Sequence, residues 1–148
     1  MIKMFIEDRN IKNSIPTALT VLFKHILNCV YQPKIHHSSW EITIRTQTNN
    51  LQKDAEHNGY DKVLRIIASN MENSYEKGYD KFFAELNSSD SKSTYTEKEM
   101  KSIIPKQYTD IGKDTKYAKY QWTAKNILNA KFIDEFLTDV RNNKEGIY

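Results

Sequence analysis

Residues 115–141 contain an apolar pattern that no single straight helix can bury. At about 100° per residue, the pattern divides into two sets of side chains on nearly opposite helix faces. The first set is Tyr117, Tyr120, Ala124, Ile127 and Leu128, and the second is Phe132, Ile133, Phe136, Leu137 and Val140. We therefore expect this C-terminal segment to break near Asn129. Before the break, Trp122 points away from the first set and lies one turn from Lys119 and from Lys125.

The size and composition of the chain indicate one folded domain, residues 1–148. The chain has 148 residues, 39% of them hydrophobic, and a domain of this size buries roughly 68–70% of the surface of its unfolded chain. The formal net charge of +3 is mild, and the sequence has neither an internal repeat nor a linker that would separate two domains. We predict a mainly α-helical, single-domain bundle of irregular form, with a long central helix and a broken C-terminal helix.

Two segments carry the strongest helical patterns. The first begins at Ser14, a favourable N-cap with Pro16 in the first helical turn, and it ends before Pro33. The second covers residues 60–86, where apolar side chains recur every three or four residues and charged side chains occupy the opposite side. Gly78 lies on the apolar side of this second helix, where it would allow another backbone to approach closely.

Residues 38–57 are compatible with two structures. Within residues 40–46 apolar and polar side chains alternate, as in a half-buried strand, and the only segment available to pair with them is residues 1–6. The same stretch carries a helical stripe, formed by Trp40, Ile44, Leu51 and Ala55. Because two short strands alone are marginally stable, we prefer a helix. A small two-stranded element, residues 1–6 with 40–46, is the alternative.

The remaining segments are short or polar. Residues 87–95 are small and polar, which predicts a surface loop. Thr96 and Glu99 have the spacing of a capping box at the start of a short helix. We expect Asp114 or the threonine after it to cap the C-terminal segment, and residues 142–148 to fray.

Several classes of chemistry have no support in the sequence. The four glycines are isolated from one another, so neither a phosphate-binding loop nor a dinucleotide fingerprint can be written. Cys29 is the only cysteine, which excludes an intrachain disulfide and a cysteine-rich zinc site. His36 and His37 are adjacent, and neighbouring side chains on a helix diverge by about 100°. We predict no metal site and no cofactor.

No segment predicts export or membrane insertion. The apolar start, residues 1–6, is too short for a signal-peptide core. The most apolar run, residues 15–31, contains Lys24 and His25 and is too short and too polar to span a bilayer. We therefore expect a cytoplasmic protein that does not act in a membrane. The abundant lysine, isoleucine, asparagine and tyrosine have AT-rich codons, which suggests a low-GC bacterium, or a phage or mobile element within one, as the source.

The densest group of titratable side chains is the weak candidate for a catalytic site. Asp54, His57 and Asp61 would share one face if a helix continued through Asn58 and Gly59. On such a face a carboxylate can orient the imidazole for general-base catalysis. An Asn-Gly pair more often forms a turn, and a turn would remove the shared face.

Candidate binding residues lie mainly in the C-terminal segment. An exposed Trp122 would stack on an unpaired base while Lys116, Lys119 and Lys125 contact phosphates. A buried Trp122 would instead belong to the core, which is the more frequent environment of an indole. Tyr108 is a further candidate, because a tyrosine places its polar tip at the rim of an interface.

These observations predict a small, non-catalytic binding protein that engages a larger protein or nucleoprotein, as inhibitors and adaptors from phages and mobile elements do. The expected partner-binding residues are Trp122, Lys119, Lys125, Lys116 and Tyr108. One alternative is a module that binds single-stranded nucleic acid or another polyanion through the lysines. The other is an enzyme with a site formed by His57, Asp54 and Asp61. A homo-oligomer is compatible with all three.

Overall fold

The regular structure in the described part of the chain is helical. The computed structural model describes residues 2–32, 38–86 and 96–144. Its elements are α1 (Ile2–Tyr31), α2 (Ser38–Asn58), α3 (Tyr60–Leu86), α4 (Glu97–Ile103), the short 3₁₀ turn η1 (Tyr108–Asp110), α5 (Ala124–Ile127) and α6 (Ala130–Lys144). The predicted mainly α-helical bundle, with a long helix and a broken C-terminal helix, is confirmed.

The core lies where α1, α2 and α3 pack together. Helix α1 packs most extensively against α3 and then against α2, while α6 lies on α2, and α5 contacts both α3 and α6. Every side chain of residues 22–31 is buried or half-buried, so this last third of α1 is surrounded on all sides by other elements. Helix α1 is therefore the central element of the bundle.

Helix α1 begins far earlier than its local sequence signal indicates. It starts at Ile2, so the predicted N-cap at Ser14 is wrong, and Pro16 lies inside the helix. The carbonyl oxygen of Pro16 accepts hydrogen bonds from the hydroxyls of Thr20 at 3.0 Å and of Ser74, on α3, at 3.3 Å. Packing against α3 thus keeps α1 continuous through a residue that removes one backbone hydrogen bond.

Helix α2 rules out the two-stranded element that we considered for residues 1–6 and 40–46. Residues 2–6 belong to α1 and residues 40–46 belong to α2. Trp40 and Ile44 are buried, whereas Ile42, which an alternating strand would have buried with them, is 64% exposed. The apolar period is therefore that of a helix, because burial recurs every three or four residues.

Helix α3 has the predicted bounds, and Gly78 has the predicted role. A Cβ atom added at Gly78 would lie 2.9 Å from the carbonyl oxygen of Thr20 and 3.1 Å from the backbone nitrogen of Lys24, both on α1. The two helices can approach this closely only because residue 78 has no side chain.

The C-terminal segment breaks where its apolar pattern changes face. Helix α5 ends at Ile127 and α6 begins at Ala130, which confirms the break near Asn129. The side-chain oxygen of Asn129 accepts hydrogen bonds from the backbone N–H groups of Lys131 at 3.0 Å and Phe132 at 3.3 Å. Asn129 therefore caps the start of α6.

In the C-terminal segment, the first helix, α5, begins later than predicted. Gly112 and Asp114 have φ angles of 82° and 65°, so the chain turns at this point and a helix cap at Asp114 or Thr115 is wrong. Helix α5 begins after Thr123, whose hydroxyl accepts a hydrogen bond from the backbone N–H of Asn126 at 3.1 Å.

The capping box of α4 forms as predicted. The backbone N–H of Thr96 donates to the Glu99 carboxylate at 2.9 Å, and the backbone N–H of Glu99 donates to the Thr96 hydroxyl at 3.1 Å. The predicted loop at residues 87–95 and the last four residues, 145–148, lie outside the described residues. Helix α6 includes residues 142–144, the first part of the predicted frayed end.

Within the described ranges, no helix combines the length and the apolar character that crossing a membrane requires.

Candidate functional site

The three side chains of the possible catalytic site do not converge. His57 and Asp61 are exposed on different helices, because Gly59, with a φ angle of 99°, ends α2 before α3 begins. Burial raises the pKa of the half-buried Asp54 carboxyl, and the nearby His57 partly opposes that effect. Among the described residues, no hydrogen bond or ion pair joins His57 to either carboxylate. The geometry therefore gives the enzyme alternative no assembled site.

Other groups that could support metal or nucleophile chemistry are equally unassembled. No set of three His, Cys, Asp or Glu side chains that could hold a metal ion occurs in the parts of the chain that the structure describes. Cys29 is buried, and burial raises the pKa of its thiol. A buried cysteine with a raised pKa stays protonated and behaves as a small apolar side chain.

Trp122 belongs to the core, which was the more frequent of the two environments considered for it, and the alternative of an exposed indole between lysines is wrong. Its side chain is 2% exposed. The indole packs edge-to-face against Phe132 and Phe136, with ring centroids 5.0 and 4.8 Å apart. These rings lie on α6, which folds back over the irregular segment before α5, and that packing buries a residue a straight helix would have exposed. In this structure the indole cannot stack on a base.

The lysines around Trp122 remain at the surface. Lys119 lies 3.3 Å from the Asp139 carboxylate, and its ammonium lies 5.2 Å from the centre of the Tyr120 ring. Lys116 and Lys125 are also exposed. The lysine surface therefore persists without the aromatic platform that the sequence suggested.

Tyr108 lies in a groove that we call the tyrosine groove. The groove has a volume of about 470 Å³ and runs between α3 and the chain that connects α4 to η1. It is lined by Glu72, Tyr75, Glu76, Tyr79 and Asp80 from α3, by Lys106 and Gln107 from the connection, and by Tyr108 and Thr109 from η1. Of the five predicted partner-binding residues, only Tyr108 lines this groove.

The floor of the tyrosine groove is held rigidly by aromatic packing. The hydroxyl of Tyr75 donates a hydrogen bond to the carbonyl oxygen of Pro105 at 2.6 Å, which joins α3 to the opposite wall. The Tyr75 ring packs edge-to-face on Phe23 of α1, with centroids 5.2 Å apart. Tyr108 lies 6.1 Å from the same Phe23 ring, so both tyrosines rest on the core of the bundle. Preformed aromatic surface of this kind binds at little entropic cost.

The rim of the groove is acidic. Glu72, Glu76 and Asp80 are exposed and follow one another at intervals of four residues along α3. Like charges at this spacing destabilise a helix by about 0.2–0.5 kcal/mol per pair. In the described part of the chain none of the three carboxylates forms an ion pair, and Lys106 is the one basic side chain among those that line the groove.

The hydroxyls of Tyr75 and Tyr79 are neutral hydrogen-bonding groups. Burial raises the pKa of Tyr75, and the nearby phenols and Asp110 add to the effect. Burial also raises the pKa of Tyr79, although Lys101 opposes it. The negative charge of the groove therefore comes from its carboxylates, while the rings contribute uncharged aromatic faces.

A second, shallower groove between α2 and α6 is less suited to ligand binding. It has a volume of about 430 Å³ and includes the exposed Ile42. Its two arginines are already paired, Arg45 with Asp134 at 2.6 Å and Arg141 with Glu41 at 3.3 Å. These pairs link α2 to α6, so the groove is the seam between two packed helices.

Sequence reasoning missed most of the tyrosine groove. In the helical pattern of residues 60–86, Tyr75 and Tyr79 fall among the apolar side chains and the three rim carboxylates fall on the charged side. The signal that would have found the rim is the four-residue spacing of Glu72, Glu76 and Asp80, since none of them has a lysine or arginine four residues further along. The opposite wall could not be found in this way, because it depends on the path of the chain after α4.

Comparison with known proteins identifies one matching family. A family model with the description "Domain of unknown function DUF29" matches residues 6–133. The matched range contains both walls of the tyrosine groove. No curated protein and no solved structure matches the chain.

Proposed function

The chain belongs to the DUF29 family, and we propose that it is a non-catalytic binding protein that engages a larger protein through the tyrosine groove. The observation that carries the proposal is the groove itself, a preformed concave surface with aromatic residues on its floor and Tyr108 on one wall. Aromatic residues are enriched at the centres of protein interfaces, where they provide contact area at low entropic cost.

The proposal includes a place and a mode of action. The protein acts in the cytoplasm, as an inhibitor or adaptor of the type that phages and mobile elements encode. The support for this mode of action is a groove that is suited to recognition, together with the scattered positions of the candidate catalytic side chains.

The test places a photo-crosslinking amino acid at Tyr108 in the native host. A matched probe replaces Tyr60, which is 47% exposed at the start of α3 and does not line the groove. We expect the probe at position 108, and not the probe at position 60, to capture a defined protein, and excess unlabelled chain to compete for it. Equal capture at both positions, or none at either, would contradict the proposal.

A binding assay with the purified captured protein completes the test. Gln107 is exposed and lines the groove, so Gln107→Trp should block the groove without disturbing the core. Gln121→Trp makes the same change at an exposed position outside the groove. We expect Gln107→Trp to weaken binding by about tenfold or more, as loss of a central interface contact does, and Gln121→Trp to leave it unchanged.

The polyanion-binding alternative now rests on the lysines alone. Lys116, Lys119 and Lys125 are exposed, and lysines suffice for salt-sensitive contact with phosphates. If this alternative holds, a single-stranded oligonucleotide binds with an affinity that falls steeply with salt, and Lys116→Ala combined with Lys125→Ala weakens it. Binding by the tyrosine groove predicts no such dependence on these two lysines.

A further inference from the structure

We propose that the tyrosine groove recognises an extended segment of the partner that carries basic side chains at alternate positions, of the form Arg-x-Arg. This inference rests on the proposed function and specifies the chemistry of the partner. Three carboxylates and one ammonium group line the groove, so its charge favours a cationic occupant.

The unpaired state of the rim supports a cationic occupant. Lys77 and Lys81 follow Glu76 and Asp80 directly, but neither lysine lines the groove, and in the described part of the chain neither forms an ion pair with these carboxylates. A basic side chain from a partner would supply the neutralising charge that the described residues do not provide to Glu76.

The aromatic faces favour arginine among basic groups. Tyr79 is half-buried and Tyr108 is half-buried, so each presents part of a ring to the groove. A guanidinium group stacks on an aromatic face and at the same time donates paired hydrogen bonds to a carboxylate. The groove offers aromatic faces together with carboxylates, a combination that suits a guanidinium group and that a compact metal ion would not use.

The spacing of the carboxylates favours alternate positions of an extended chain. Residues four apart on a helix are separated by about 6 Å along its axis, so Glu72, Glu76 and Asp80 form a row with that repeat. In an extended peptide, side chains on one face recur every second residue, or about 6.6–6.8 Å. Two arginines separated by one residue therefore match two successive carboxylates of the row.

The experiment measures peptide binding to the purified full chain by calorimetry. The probes are acetyl-Gly-Arg-Gly-Arg-Gly-amide and two matched peptides in which both arginines are replaced by leucine or by glutamate. We expect only the arginine peptide to bind, with an affinity that falls as salt is added. Glu76→Gln should weaken it about threefold or more, as removing one partner of a charge pair does.

Glu56→Gln is the matched control, because Glu56 is an exposed helical glutamate outside the groove. Equal effects of the two substitutions would overturn the inference, as would equal binding of the leucine peptide or no saturable binding of the arginine peptide. Self-association of the chain that competes with binding of the arginine peptide would also overturn the inference, because the occupant of the groove would then be a second copy of this chain.

The two proposals fail in distinguishable ways. If position 108 captures a partner specifically but the arginine peptide does not bind, the groove binds a protein by other chemistry and only this inference fails. If neither occurs, the proposed function fails as well.

Discussion

At the scale of single residues, Gly78 controls how closely the two longest helices approach. In an ordinary helix interior, alanine is favoured over glycine by about 1 kcal/mol. Here the added Cβ would lie 2.9 Å from the Thr20 carbonyl oxygen, which is backbone and cannot rotate away. The local propensity of residue 78 and the packing of α1 on α3 therefore act in opposite directions.

We expect Gly78→Ala to lower the free energy of unfolding, by about 1–3 kcal/mol, because overpacking outweighs the gain in helix propensity. Urea denaturation followed by circular dichroism measures the change. Lys77→Ala, at the adjacent exposed position, is the control and should have little effect. A more stable Gly78→Ala variant would show that α1 and α3 are not in backbone contact at this residue.

Tyr31 joins the end of α1 to the irregular segment after η1. Its hydroxyl accepts a hydrogen bond from the backbone N–H of Gly112 at 2.9 Å, in a buried environment. Burial raises the pKa of Tyr31, while the hydrogen bond from Gly112 opposes it. The bond fixes the position of a turn that the φ angle of 82° at Gly112 makes possible.

We expect Tyr31→Phe to cost about 1–3 kcal/mol, because it leaves a buried N–H without an acceptor. Tyr60→Phe removes a hydroxyl from an exposed tyrosine and serves as the comparison. The same denaturation experiment compares the two variants. Equal unfolding midpoints for both would argue against the Tyr31–Gly112 hydrogen bond.

At the scale of elements, α4 is a short helix that depends on its first turn. A hydrogen bond from the backbone N–H of Thr96, with a second from its side chain, holds the pKa of Glu99 below its usual value. The following chain forms one wall of the tyrosine groove, so the order of α4 bears on the site. A seven-residue helix has few internal hydrogen bonds, and local capping is correspondingly important.

The pKa shift predicts how α4 responds to acid. Because the folded pKa of Glu99 is lower than its unfolded pKa, its contribution is complete above the unfolded pKa and is lost as the pH falls through the folded pKa. NMR amide shifts of Thr96 and Glu99 should report this titration. In Glu99→Gln the acid-dependent change should disappear, whereas in Glu56→Gln it should persist. An unchanged titration in Glu99→Gln would assign it to another group.

The break between α5 and α6 shows a similar division between local and distant interactions. Asn129 caps the start of α6, which is a local interaction. The change of direction at this point adds to stability only because α6 then packs on α2, which is distant in the sequence. The pairs Arg45–Asp134 and Arg141–Glu41 lie at that contact. The Arg45–Asp134 pair is exposed, and such pairs contribute little to stability, whereas Glu41 of the other pair is buried. The buried apolar face of α6 is the main source of the attachment.

At the scale of the whole molecule, Trp122 closes the core between α6 and the irregular segment. Its N–H group is buried and has no hydrogen-bond partner among the described residues. The contribution of Trp122 is therefore the apolar and aromatic contact of its ring with Phe132 and Phe136.

We expect Trp122→Ala to destabilise the protein by about 3–5 kcal/mol, the usual cost of truncating a buried aromatic residue. Trp122→Phe should cost less, because it retains a ring and sacrifices no hydrogen bond. Guanidinium unfolding, with the fluorescence of the buried Trp40 as the probe, provides the measurement. Unchanged stability in Trp122→Ala would restore the exposed, partner-contacting role that the sequence suggested.

The sequence alone determined those features that depend on neighbours a few residues away. The bounds of α3, the capping box of α4 and the break at Asn129 follow from helical periodicity and from side chains that bond to nearby backbone. The start of α1 is an exception, as is the cap predicted at Asp114 or Thr115. In α1 a local signal at Ser14 was overridden, because burial against α3 stabilises the helix beyond its proline.

The tertiary structure alone decided which distant side chains meet. It buried Trp122 under α6, and it placed Tyr108 opposite Tyr75, to form a groove whose carboxylates come from a single face of α3. Such contacts depend on where the chain goes after a turn, as at Gly112, and on the packing that selects that path. The periodicity of one helix does not predict the path of the chain after the helix. It shows which face of the helix is apolar, but it does not show which other element packs against that face.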